Sequence, residues 1–245
     1  MPVFRKTQPN TSFTSMNMIL YGFPKTGKTT LASHFIDSGK PPAFIATERG
    51  HDALGVSAEM VTSYDHFLKL IEYLEKNIEA TRQEHSCLVV DLISDVDQFI
   101  SRQIENDKKV DYIHDLQFGK GSKILSNMFS DAINRLLAIL PCTFLAHSDE
   151  REIVWNGEKI KVQQPNLNKA TLKWLNGKVD LIGFISPSNN KDLFAELYVK
   201  PNPLCIAGCR YSAVTGVYPM YKDEPNKTIK LIRTNFNSIF EGAKK

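Results

Sequence analysis

The sequence predicts an α/β fold, a mostly parallel sheet flanked by helices with a β-hairpin insertion and further strands along one edge. Three observations predict it. Short apolar runs alternate with helical patterns from residue 16 to about residue 186, the rhythm of a wound sheet. The first run, residues 16–21, is followed at once by Gly22-Phe23-Pro24-Lys25-Thr26-Gly27-Lys28-Thr29 and then by a helix opening at Thr30. A later apolar run, Leu88-Val89-Val90, closes on Asp91.

The elements follow in order. Residues 1–15 read as a flexible leader ahead of the first strand. After the glycine-bounded loop and its helix, Ala43-Phe44-Ile45-Ala46 is a second strand. Phe67, Leu68, Ile71, Leu74 and Ile78 recur at helical spacing. Cys87 to Asp91 makes the third strand. Residues 94–122 are polar, charged and weakly patterned, and read as a loop or a loose helix. Ile124, Leu125, Met128, Phe129, Ala132, Ile133, Leu136, Leu137 and Leu140 then form a broad helical stripe that Pro141 stops. Thr143-Phe144-Leu145-Ala146 is the fourth strand, ending at His147. A hairpin over 149–163 carries Asn156-Gly157 at its tip. A short helical piece at 170–175 leads to a fifth strand at 179–185, and residues 193–199 and 210–217 read as edge strands. The expected division is a leader (1–15), one α/β domain (16–217, hairpin included) and a C-terminal extension (218–245).

Composition bounds the possibilities. A chain of 245 residues, 42% hydrophobic, can bury one full α/β core. A formal charge of +3 neither demands nor excludes nucleic acid, so any such contact must come from a local patch. No stretch approaches the roughly 20 apolar residues of a membrane span, and residues 1–15 lack the apolar segment of a signal peptide. Cys87, Cys142, Cys205 and Cys209 show no paired metal spacing, which together with apolar surroundings points to a reducing cytoplasm.

The chemistry starts at the loop. G-x-x-x-x-G-K-[ST] between a strand and a helix is a phosphate cradle, because loop N–H groups and the positive end of the helix dipole converge on an anion. Gly22, Pro24, Lys25, Thr26, Gly27, Lys28, Thr29 and Thr30 are the expected nucleotide-binding residues. Lys28 would reach the outer phosphates, and the Thr29 hydroxyl would ligate Mg²⁺. Asp91, closing an apolar strand downstream, would hold the same ion through water. No acid follows Asp91, so a water-orienting group must come from elsewhere. Glu48 closes the second strand on the sheet edge where open α/β folds bind ligands, and His147 closes the fourth.

This order of parts resembles the RecA-type ATPase core. Ala-Phe-Ile-Ala-Thr-Glu at 43–48 looks like the strand that carries the catalytic glutamate, and Phe144-Leu145-Ala146-His147 like the strand whose polar end senses the γ-phosphate. The whole chain resembles the short phage-encoded RecA-like ATPases grouped with single-strand annealing proteins. That resemblance rests on the phosphate loop, on Leu145-Ala146-His147, on Pro165-x-Leu167 and on Leu175-x-Gly177-x-Val179-Asp180. It implies ATP and Mg²⁺ as cofactors, with catalytic roles for Lys28, Glu48 and His147. It also implies single-stranded DNA as a partner, a homo-oligomer with ATP at subunit interfaces, a possible link to a single-strand-binding protein, and a bacterial host cytoplasm. Leu92 departs from the small hydroxyl usual after the acidic strand end. Lys200 and Arg210 are the candidates to reach a neighbour's nucleotide. Arg151, Lys159, Lys161, Lys169, Lys173 and Lys178, with Trp155 near the hairpin tip, are the candidates for DNA, since nonspecific strand binding combines a basic groove with an aromatic platform. Two other readings stay open: a nucleotide-switched assembly protein that binds a protein partner, and a P-loop kinase, against which the hairpin's lack of clustered arginines speaks.

Overall fold

The computed structural model describes residues 13–155, 157–189, 193–200, 202–211, 214, 216–223 and 229–231. Its centre is β1 (Met18–Gly22), every residue of which is buried. β1 pairs in parallel with β5 (Cys142–Trp155) on one side and β7 (Leu181–Pro187) on the other. Outward from β5 lie β4 (Leu88–Asp91), β2 (Ala43–Ala46) and β3 (Ser57–Met60), all parallel. Outward from β7 lie β8 (Leu193–Tyr198), β10 (Val217–Asp223) and β11 (Ile229–Leu231), all antiparallel. β6 (Glu158–Pro165) pairs with the outer half of β5, and β9 (Gly208–Cys209) adds a short pairing to β7.

The direction of winding decides which face each helix covers. The crossover from β1 carries α1 (Lys28–Ser33) to the outer strand β2, and the chain then returns inward through β4 to β5. Right-handed crossovers running in opposite directions place their helices on opposite faces. Leu31, Ala32 and Phe35 accordingly pack with Met18, Leu20, Phe44, Val89 and Leu145. On the other face, α2 (Tyr64–Lys76), α4 (Ile93–Lys108), α5 (Lys120–Ile139) and α6 (Lys169–Lys178) cover Ile19, Tyr21, Ile45, Val90 and Phe144. A short α3 (Ile78–Glu84) follows α2, joined at Asn77. Strand alternation thus sends neighbouring residues of β1 into two separate cores. At the base of the sheet, Asn17 holds three strands together: its side-chain oxygen accepts from the Cys142 N–H, and its carbonyl accepts from Asp180 and Leu181.

Several expectations change. Residues 94–122 are not a loop: most of α4 lies there, its buried Ile93, Val96, Ile100 and Ile104 a narrow stripe on an otherwise polar helix. The long helix begins at Lys120, ahead of its apolar run. β3 and β11 were absent from the sequence reading. The edge strand expected at 210–217 is instead β10, and the expected boundary after residue 217 falls inside it, so the sheet continues beyond that point. The hairpin is longer at its base than 149–163, since Ser148 pairs with Pro165. Most of the leader, and most of 218–245, lies outside the described residues.

Candidate functional site

β1, β2 and β4 end beside the middle of β5, and residues at and just past these points line a cleft of about 270 Å³: Lys28, Thr29, Glu48, Gly50, Asp91 and His147 among them. The loop from β1 to α1 is shaped by two glycines. Gly22 passes so close to β7 that an added Cβ would lie 2.0 Å from the Ile185 carbonyl oxygen. Gly27 has φ 86°, a left-handed backbone that side chains disfavour, immediately before α1. Lys25 also sits at positive φ. The Thr26 hydroxyl braces the turn by donating to the Phe23 carbonyl at 2.9 Å. Pro24 and Lys25 are exposed at the tip, and Thr30 lines the cleft from the first turn of α1.

Lys28 and Asp91 in the cleft are buried and incompletely paired. Lys28 donates to the carbonyls of Gly22 (3.1 Å) and Phe23 (2.8 Å). Burial pulls its ammonium down to about 8, against the attraction of Asp91 and Glu48. Asp91 is 1% exposed. Burial pushes its carboxyl up to about 6, helped by Glu48 and opposed by the Thr29 hydroxyl, Lys28 and His51. Thr29 Oγ1 donates to Asp91 Oδ2 at 2.8 Å, while Asp91 Oδ1 is buried with no hydrogen-bond partner. A buried, orphaned carboxylate oxygen beside a hydroxyl fits the water shell of a divalent cation, so Thr29 and Asp91 are the residues that would hold Mg²⁺. His147 lies below its ordinary value, first through burial and then through Lys28, with Glu48 and Asp95 opposing. Its Nδ1 is buried without a partner.

Glu48 joins this group through a residue that sequence reasoning passed over. Thr47 donates its N–H to the Asp91 carbonyl at 2.7 Å, accepts the Leu92 N–H on Oγ1 at 2.9 Å, and donates Oγ1–H to Asp95 at 2.7 Å. β2 and β4 are stitched at their ends, so Glu48 and Asp91 emerge next to each other. A Cβ added at Gly50 would lie 3.6 Å from Glu48 Oε1 and 3.9 Å from Thr29 Oγ1, so both groups border the same space. The signal was a threonine at a strand end, which pattern reading treats as ordinary.

The other expected residues fall elsewhere. Arg210 is occupied within its own chain, donating to Asp180 Oδ1 (3.1 Å) and the Gly177 carbonyl (2.6 Å). Lys200 is exposed just past β8. On the hairpin, Lys159 pairs with Glu152 at 2.8 Å and Lys161 with Glu150 at 2.7 Å. Arg151 donates to the Leu167 carbonyl at 3.0 Å and pairs with Asp149. Lys169 and Lys173 are exposed on α6, and Lys178 lies over the Trp174 ring at 5.3 Å. The side chain of Trp155 lies outside the described residues. Between α4 and α5, Tyr112 and Phe118 stand exposed, Phe118 at 93% and with φ 58°.

Two connections run from the cleft to the hairpin. The His147 carbonyl accepts the Asn166 N–H at 2.9 Å. The Tyr21 hydroxyl, one residue before the phosphate loop, lies 2.9 Å from the Gln163 carbonyl and 2.7 Å from that of Ile206. Asp97 on α4, buried, accepts the Asn168 N–H at the start of α6 at 2.9 Å.

A family model described as AAA domain matches residues 14–211. Among solved structures, a KaiC-like protein of the hyperthermophilic archaeon Pyrococcus horikoshii aligns at 17% identity with a TM-score of 0.47, covering 89% of each chain. No curated protein matches.

Proposed function

From the premise that this chain belongs to the AAA domain family, we propose that it is a phage-type, magnesium-dependent ATPase, RecA-like in build, that acts on single-stranded DNA in recombination, annealing or replication. The observation that carries the ATPase half is the convergence of Lys28, Thr29, Asp91 and Glu48 on one cleft. Lys28 would exchange its two carbonyl partners for phosphate oxygens. Thr29 and Asp91 would hold Mg²⁺, which supplies positive charge against the phosphates. Glu48 would orient a water for in-line attack on the γ-phosphorus and take its proton as the bond to the β–γ bridging oxygen breaks. His147 would donate to the γ-phosphoryl group and, through its carbonyl on Asn166, pass loss of that group to the hairpin base.

The DNA half is supported by exposed Phe118 and Tyr112, by exposed Lys169 and Lys173, which make no ion pair among the described residues, and by the two connections from cleft to hairpin. Aromatic stacking combined with basic side chains is how strands are held without sequence preference. Steady-state ATP hydrolysis with and without single-stranded DNA, at low and moderate salt, tests both halves. DNA is expected to raise the rate, and the rise to fade as salt screens phosphate contacts. Glu48→Gln is expected to bind ATP normally and to hydrolyse it about a hundredfold more slowly. Wild-type turnover by Glu48→Gln would remove Glu48 from the mechanism.

A second reading has its own observation. An apolar groove of about 340 Å³ opens beside the hairpin, lined by Ile153, Ile160, Val162, Pro203, Ile206 and Ala207. It favours a nucleotide-switched assembly protein whose hairpin meets a protein, such as a single-strand-binding protein or a second copy. Hydrolysis indifferent to DNA, with nucleotide-dependent oligomerisation, selects that reading.

A further inference from the structure

Glu48 is exposed, and among the described residues its carboxylate makes no hydrogen bond. Its aim must therefore be set by its backbone. Thr47 fixes the chain on one side. On the other, Glu48 is extended (φ −135°, ψ 163°) and leads into a single helical turn, Arg49–His51. The His51 ring folds back over that turn, with Nδ1 3.1 Å from the Glu48 carbonyl oxygen. Nε2 lies 3.4 Å from Asp52 Oδ1. The ring is 11% exposed, whereas Asp52 on its far side is 62% exposed.

The chemistry of these contacts is restrictive. A carbonyl oxygen only accepts, so Nδ1 must carry a proton. The Asp52 carboxylate flanks the ring on its other side, at Nε2. Asp52 then orients the ring, and the ring holds the Glu48 carbonyl. We propose that His51 is the positioning residue for Glu48: its Nδ1–H fixes the turn so that the Glu48 carboxylate faces the space beside Thr29 and Asp91. This rests on the reading of Glu48 as the water-orienting group. A carboxylate without partners of its own loses its aim if the turn relaxes, and displacement of about 1 Å at a reacting group can cost up to about a hundredfold in rate.

The test pairs kinetics with a measurement on the unaltered protein. His51→Leu removes the donor, while His51→Asn can place an amide N–H where Nδ1 lies. The expected result is a fall in kcat of about tenfold for His51→Leu, with KM for ATP unchanged and recovery of kcat in His51→Asn. In ¹⁵N-histidine NMR of the nucleotide-free protein, His51 is expected to show a protonated Nδ1. A bare Nδ1 overturns the proposal, even if His51→Leu fails to fold. So does a His51→Leu protein with unchanged kcat when Glu48→Gln is inactive. Wild-type turnover by Glu48→Gln instead removes the reading on which the proposal rests, and the NMR result then stands as a statement about the turn alone.

Discussion

β5 lives in two environments, and the contrast between them separates chemistry from scaffold. From Cys142 to Ala146 it is buried between β1 and β4. Beyond His147 it runs out into the hairpin with β6. Around the inner half, the charges are buried and short of partners: Lys28 is 5% exposed, and Asp91 keeps an orphaned oxygen. Around the outer half they are exposed and neutralised, Lys159 by Glu152 and Lys161 by Glu150. Burying an incompletely paired charge costs several kcal/mol, a cost that a bound ligand of opposite charge can offset. Exposed pairs contribute about 0–1 kcal/mol and ask for no ligand. Both halves carry charge; burial without full pairing is found at the inner one.

The largest test of this contrast removes the buried cation. Lys28→Met keeps the volume of the side chain and discards its charge. ATP affinity, read by titration calorimetry, is expected to fall by about a hundredfold or more, since charge-assisted bonds to phosphate are lost. The nucleotide-free melting temperature is expected to hold or rise, because a desolvated ammonium is gone. A drop of several degrees instead would make Lys28 a structural residue.

A pH profile sharpens the comparison next. The nucleotide-free protein carries a neutral Asp91 below about 6 and a neutral Lys28 above about 8. Binding needs both charged, so kcat/KM is expected to peak between those values and to fall about tenfold per pH unit on either side. The stability of the empty protein should run the other way. Asp91 binds its proton more tightly folded than unfolded, so its contribution is present at low pH and lost as pH rises toward about 6. Lys28 gives up its proton more readily when folded, so its contribution grows as pH rises above about 8 toward the ordinary lysine range. The window best for activity is thus the one in which these two groups least favour the empty fold. Charge-removing changes at Lys159 and Lys161 should leave both profiles in place.

The same contrast explains what could be read in the sequence. Gly22, Lys28, Thr29 and Asp91 were legible because a phosphate cradle needs fixed spacing and a strand end, both visible in one dimension. The parallel sheet was legible because β1, β2, β4 and β5 are buried on both faces and read as continuous apolar runs. α4 was hidden because its stripe of Ile93, Val96, Ile100 and Ile104 is narrow against a polar helix. β3 escaped because Ser57, Ala58 and Glu59 are exposed at the sheet edge. Thr47 and His51 were invisible for a different reason: each acts largely through backbone groups, Thr47 on Asp91 and Leu92 and His51 on Glu48, which leave no trace in side-chain pattern. The ion pairs of the hairpin lysines were not legible, because sequence counts charges and does not pair them.

A smaller effect is expected where the two halves meet. The Tyr21 hydroxyl reaches from β1 to the carbonyls of Gln163 and Ile206 at the hairpin base. Tyr21→Phe should cost about 1 kcal/mol, since the Gln163 carbonyl keeps the Ile206 N–H as a second partner. In a chain of this size that lowers the melting temperature by about 2–4 °C. Basal hydrolysis should be unaffected, while any stimulation by DNA should weaken. Equal loss of basal and stimulated rates would mean that the hydroxyl supports the phosphate loop and not the hairpin.

The smallest effect should come from the hairpin lysines. Replacing Lys159 and Lys161 together by Ala breaks two exposed cross-strand pairs and leaves Glu150 and Glu152 uncompensated. A change of under about 1 kcal/mol in stability follows from the exposure of all four groups, with basal ATP hydrolysis unchanged. The informative quantity is the salt dependence of DNA stimulation. If these lysines are engaged by their glutamates, the slope against log salt should barely move. If they leave their partners for phosphates, the slope should fall by about one per lysine lost. That outcome would return the outer half of β5 to the DNA, against its resting ion pairs. An unchanged slope would leave strand contact to Phe118, Tyr112, Lys169 and Lys173, where no ion pair within the described residues competes with phosphate.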